Sequence, residues 1–201
     1  MIKVGLLGYG SFGKKIESKL QKIDNIEIQW IYRSRDHWWE VDSNLDWVVI
    51  ATPNEFHYEQ AKHFIQKGIN VFCEKPGTLS LSALEELISL SKKHRTKFYI
   101  DDVYTYEKVT PSNNFIYKKW GGTSYNMIDR IGYHHFYLIY DQIGKQTPKK
   151  INIIKNDLLY KKFSIIFEND AQFNFEYNFK SYENKVNSIQ CNSPVDALEL
   201  M

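Results

Sequence analysis

Through residue 100, short apolar blocks alternate with longer stretches whose apolar residues recur every three or four positions. Ile2-Lys3-Val4-Gly5-Leu6-Leu7 reads as a strand, and Ser11 to Leu20 reads as a helix behind it. Ile26 to Ile31 forms a second strand, and Trp47-Val48-Val49-Ile50 a third, apolar throughout as buried parallel strands tend to be. Asn54 is placed to cap a helix that runs to about Gln66, with Phe56, Gln60, His63 and Phe64 along one side and Gly68 as its stop. Ile69 to Cys73 is a fourth strand. Ser80 and Ser82 precede a helix with Leu84, Leu87, Ile88 and Ser91 on one face, and Lys97 to Ile100 is a fifth strand.

Beyond residue 102 the pattern changes. Asn, Lys, Tyr and Phe dominate, and strands are read at Ile151–Lys155, Phe163–Phe167 and Gln172–Phe179, with Glu168-Asn169-Asp170 as a hairpin turn. One helix fits Ile128 to Ile143, ended by Gly144. The expected class is α/β: a doubly wound parallel sheet of the Rossmann type over residues 1–103, then a reduced α+β domain with a small, mostly antiparallel sheet over 104–201. In such a sheet a ligand lies at the carboxyl ends of the strands, where Gly8, Ser34, Thr52, Glu74 and Asp101 fall.

The first of those ends carries Gly8-Tyr9-Gly10-Ser11-Phe12-Gly13. The first glycine permits a tight bend, the second lets the backbone approach a diphosphate, and the third lets helix pack on strand. The helix N-terminus adds free amides and a partial positive charge. A phosphate loop of the GxxxxGK type is excluded, because Lys15 stands where a magnesium-ligating Ser or Thr is required. About 20 positions past the last glycine, an acidic residue would favour NAD. Ser34 stands there instead, between Arg33 and Arg35, and a hydroxyl flanked by guanidinium groups suits a 2′-phosphate. NADP is therefore expected, with NAD as the other possibility.

Composition narrows the picture further. Apolar residues make up 43% and charged residues 25%, which describes a globular chain with ample core. A net charge of +2, spread evenly, gives no basis for a nucleic-acid or membrane-surface partner. Cys73 and Cys191 offer neither a disulfide framework nor metal spacing, and point to a reducing cytoplasm. No metal site, signal peptide or membrane span is expected.

Two further stretches bring in a family. Asp46-Trp47-Val48-Val49-Ile50-Ala51-Thr52-Pro53-Asn54-Glu55-Phe56-His57 and Gly68-Ile69-Asn70-Val71-Phe72-Cys73-Glu74-Lys75-Pro76, following the glycine turn in order, resemble the Gfo/Idh/MocA oxidoreductases. The resemblance covers residues 2 to 103. It implies a nicotinamide cofactor, hydride chemistry on sugars or polyols, and a second α/β domain with an open sheet. By the same resemblance Thr52, Pro53, Asn54 and His57 pass beneath the cofactor, and Glu74, Lys75 and Pro76 lie beside the nicotinamide. Lys75 would move the substrate hydroxyl proton, a task that suits an ammonium placed near a cationic ring.

The second half departs from the family's pattern. Its Asp-x-Gly-x-His motif corresponds to Arg130-Ile131-Gly132-Tyr133-His134, so the histidine is kept and the aspartate is replaced. Asp129 is one residue off, a rotation of about 100 degrees on a helix. His134 is either an acid–base group or a histidine packed with Ile131 and Leu138. Tyr104, Arg130 and Tyr137 are the expected substrate contacts. Asp101-Asp102-Val103-Tyr104-Thr105-Tyr106 resembles the branch acting on nucleotide-linked sugars in surface polysaccharide pathways. The chain ends at Met201, short for the family, so too few elements are expected to cover the aromatic sheet carrying Phe163, Phe167, Phe173, Phe175, Tyr177 and Phe179. A homodimer through that face follows. The competing reading is a catalytically impaired Rossmann protein that binds cofactor or nucleotide as a sensor or partner subunit.

Overall fold

The computed structural model describes residues 1–33, 37–40, 44–101, 112–118, 132–179 and 186–190. The chain divides into two compact units, Met1–Asp102 and Val103–Met201.

In the first unit β1 (Ile2–Leu7), β2 (Ile26–Tyr32), β3 (Trp47–Ile50), β4 (Asn70–Glu74) and β5 (Phe98–Asp101) form one parallel sheet in the order β2-β1-β3-β4-β5. The connecting helices are α1 (Ser11–Leu20), α2 (Asn54–Gln66) and α3 (Leu81–His94), with a short 3-10 turn at Trp38–Glu40. The order reverses between β1 and β3, which opens a crevice at their carboxyl ends. Leu6, Leu7, Val48, Ile50, Val71 and Cys73 are fully buried, as continuous apolar strands sandwiched between helices must be.

Several local expectations shift. α2 begins at Asn54 with Pro53 as its N-cap, and no side chain caps it. Its buried stripe is His57, Gln60, Ala61, Phe64 and Ile65, while Phe56 and His63 are only partly covered. Ser80 does cap α3, accepting from the Ala83 amide, whereas Ser82 lies inside the helix. Leu87 and Ser91 face the core, but Ile88 is 41% exposed.

The second unit holds β6 (Asn114–Lys118), α4 (Tyr133–Ile143), β7 (Pro148–Asn156), β8 (Tyr160–Phe167), β9 (Gln172–Asn178) and β10 (Val186–Gln190). The strands form a mixed sheet in the order β10-β6-β9-β8-β7, antiparallel except where β6 runs parallel to β9. Residues 128–131, the start of the expected helix, lie outside the described residues.

The aromatic face of this sheet is core, which overturns the expectation that it lies bare. Phe163, Phe167, Phe173, Phe175, Tyr177 and Phe179 are all buried, in one cluster with Leu138 and Ile139 of α4. Phe163 and Phe175 stack 4.6 Å apart. Exposed apolar side chains of this sheet, among the described residues, include Ile151, Ile153 and Ile154 of the edge strand β7 and Leu158 in the turn after it.

Candidate functional site

The carboxyl ends of β1 to β5 gather the chemistry of the first unit. Gly8 follows β1 with φ +97°, and a Cβ there would come within 2.5 Å of the Ala51 carbonyl oxygen. A Cβ on Gly13 would lie 2.2 Å from the Gly8 carbonyl oxygen, so this glycine lets α1 close onto the turn. Gly10 differs: a Cβ there meets nothing within 4 Å. The turn is therefore sealed by packing at two glycines and open to a ligand at the third.

The start of α1 is equally receptive. Gly10 is its N-cap, no side chain caps it, and its first turn carries no acidic residue. The first intrahelical bond runs from the Lys14 amide to Gly10, which leaves the amides of Ser11, Phe12 and Gly13 ahead of it without intrahelical acceptors. Such an end binds anions. These observations fit the diphosphate of a dinucleotide.

Beside the turn, Tyr9 donates its hydroxyl to the Glu17 carboxylate, which holds the phenol above its usual range. The Arg33 guanidinium lies 4.5 Å from the centre of the Tyr9 ring, and the Lys14 ammonium 5.8 Å from it. Arg33 comes here because β2 pairs with β1 up to Leu7 and Tyr32, and the Gly8 amide donates to the Tyr32 carbonyl at 3.0 Å. Ser34 and Arg35 lie outside the described residues.

The segment after β3 is bound internally. Thr52 donates its hydroxyl to Gln60 Oε1 at 2.6 Å. His57 is fully buried, with Nε2 2.8 Å from the Thr52 carbonyl oxygen and Nδ1 2.7 Å from the Pro76 carbonyl oxygen. One ring thus ties the loop after β3 to the loop after β4. Pro53 is exposed, and Asn54 is half-buried at the helix start.

At the end of β4, Glu74 stands in register with Asp101 of β5. Burial, and next the Asp101 carboxylate, push the Glu74 carboxyl up to about 7, with the adjacent Lys75 ammonium offsetting part of the effect. Lys75 is half-buried and the Lys75–Pro76 peptide is cis. Cys73 is fully buried, and burial pushes its thiol far above its ordinary value.

In the second unit His134 is half-buried on α4, its ring edge-on to Tyr133 at 6.0 Å. Its neighbour His135 is the fully buried histidine, stacked 4.8 Å from Phe115, with Nδ1 3.0 Å from the Tyr177 hydroxyl. Tyr137 packs, partly buried, against the aromatic core. Tyr104 and Arg130 lie outside the described residues.

Sequence reasoning missed Asp101 as the partner of Glu74, His135 as the core histidine and Tyr9 as the neighbour of Arg33. The aspartate had a signal, because both carboxylates end adjacent strands. Among the described residues no cluster of His, Cys, Asp or Glu is suited to a metal ion, and no helix is long and apolar enough to cross a membrane.

A parallel sheet with a reversal at β1/β3, and an open glycine turn feeding an uncapped helix, defines a dinucleotide-binding Rossmann unit. Residues 2–101 match the profile of the oxidoreductase family with an NAD-binding Rossmann fold, and the chain belongs to this Gfo/Idh/MocA family. An uncharacterized oxidoreductase of Streptococcus pneumoniae is 33% identical over 114 residues, 49% of this chain and 31% of its own length. The D-xylose 1-dehydrogenase (NADP(+)) of Hypocrea jecorina is 30% identical over 95 residues, 47% of this chain and 24% of its own length. The chain thus matches about a third or less of these relatives' length. The fold is shared with apo scyllo-inositol dehydrogenase from Lactobacillus casei, at a TM-score of 0.72 and 18% identity over 92% of this chain and 70% of that one.

Proposed function

We propose that this protein is an NADP-dependent oxidoreductase acting on the hydroxyl or carbonyl group of a sugar or a nucleotide-linked sugar. The observation that carries the reading is the open turn at Gly10 in front of the uncapped α1, with the Arg33 guanidinium beside it. Hydride exchange is the chemistry that a nicotinamide dinucleotide supplies when bound. Ser11, Phe12 and Gly13 offer amides to its diphosphate, and Arg33, Ser34 and Arg35 take the 2′-phosphate. Thr52, Pro53, Asn54 and His57 shape the floor under the cofactor. Lys75 takes the hydroxyl proton as the carbinol is oxidised and returns it in reduction. By the family resemblance, His134 is proposed as an acid–base group of the second unit, with Tyr104, Arg130 and Tyr137 as its substrate contacts.

The NADP(+) dependence named for the Hypocrea relative, and its sugar substrate, support this choice. A cytoplasmic place in surface carbohydrate synthesis, and a homodimer through the second unit's sheet, belong to the same proposal. With the aromatic face covered, the edge strand β7, with Ile151, Ile153 and Ile154 exposed, is the surface proposed for a second copy. Arg130 in the place of the family's aspartate supports the second reading, a cofactor-binding protein that has lost turnover.

Titration with NADPH and NADH, followed by tryptophan quenching, tests the proposal. Tighter binding of NADPH, together with turnover on a sugar or nucleotide-sugar panel that Lys75→Met abolishes while binding remains, is the expected result. Binding without turnover on any substrate favours the second reading. Binding of neither cofactor overturns both.

A further inference from the structure

Arg33 is exposed, and a free arginine side chain samples many rotamers before it can meet a phosphate. In this structure it does not hang free. Its guanidinium lies 4.5 Å from the centre of the Tyr9 ring, well within cation–π range. Tyr9 is itself held, since its hydroxyl donates to Glu17 on α1, and Lys14 approaches the same ring at 5.8 Å. Among the described residues no carboxylate forms an ion pair with Arg33. The ring is the middle residue of the Gly8–Gly10 turn, so whatever it holds is delivered to the rim of the cofactor site.

We propose that Tyr9 is a positioning residue: its ring, fixed by Glu17, presents the Arg33 guanidinium to the 2′-phosphate and so sets the preference for NADP over NAD. The inference rests on the NADP reading above and adds a residue that neither the glycine pattern nor the arginines would single out. The arginine is pre-organised, and less freedom is lost when it forms paired hydrogen bonds to phosphate oxygens.

The experiment is calorimetric titration of the full chain with adenosine 2′,5′-bisphosphate and adenosine 5′-monophosphate, two probes that differ by the 2′-phosphate. The wild type binds the bisphosphate more tightly, and Arg33→Gln loses most of that advantage, about tenfold. Tyr9→Leu reduces the advantage about two- to fivefold, the range of an exposed cation–π contact, and leaves monophosphate binding unchanged. Tyr9→Phe and Tyr9→Trp, which keep a ring but lose the hydroxyl that Glu17 holds, retain part of it and fall between wild type and Tyr9→Leu. Tyr9→Met carries the same test if the leucine variant fails to fold. If Arg33→Gln loses the advantage and neither ringless variant does, the Tyr9 proposal is overturned and the NADP reading stands. An equal loss for both probes also overturns it, because Tyr9 would then act only on the shape of the turn. If the wild type binds the two probes equally, the NADP reading fails and the proposal falls with it.

Discussion

Replacing Glu74 by glutamine isolates the free energy held in the carboxyl pair at the ends of β4 and β5. Burial and the facing Asp101 move the Glu74 carboxyl from its ordinary 4.5 to about 7, while the Lys75 ammonium opposes them. A carboxyl raised in the folded state binds its proton more tightly there than in the unfolded chain. Its contribution is therefore most favourable below 4.5 and is lost as pH rises through about 7. At roughly 1.4 kcal/mol per unit, the full shift corresponds to about 3 kcal/mol. Solvent reaches part of the carboxyl, so about 1–2 kcal/mol is expected between pH 5 and 8. The assay is urea unfolding of the cofactor-free protein at one-unit pH steps, reading the midpoint at constant slope. Wild type should lose about 1–2 kcal/mol relative to Glu74→Gln across that range. Asp101→Asn should remove part of the effect and leave part, because burial, the largest single cause, remains. Parallel curves for wild type and Glu74→Gln would refute the argument.

Two further substitutions separate packing from binding. Gly13→Ala drives a Cβ to 2.2 Å from the Gly8 carbonyl oxygen and should cost about 1–3 kcal/mol in urea unfolding, whereas Gly10→Ala meets no protein atom. The latter should change stability by no more than about 0.5 kcal/mol yet weaken NADPH binding severalfold, and equal stability losses at both positions would contradict the assignment. His57→Leu strips the Thr52 and Pro76 carbonyl oxygens of their partner and should cost about 2–3 kcal/mol, measured by the same unfolding assay. An unchanged midpoint would show that the histidine does not tie the two loops.

Much of the first unit was legible in the residues. β1, α1 and β3 are where the apolar blocks and glycine punctuation put them, because neighbouring residues along the chain decide both. The same reasoning located the glycine turn and Arg33. It failed on α2 at His57, which the apolar stripe left out and which is buried because carbonyl groups of the loops after β3 and β4, at Thr52 and Pro76, meet its ring. It also failed to find β6 and β10, whose pairing depends on strands far away in sequence.

What the sequence by itself determined is the order of elements in the first unit, the α/β class and the family, since periodicity, turn residues and short motifs are local properties. Only the tertiary structure decided which aromatic face is covered, which of two adjacent histidines is buried, and that Tyr9 meets Arg33. Those outcomes depend on which surface another element reaches, and burial and side-chain pairing are set by contacts across the fold rather than along the chain.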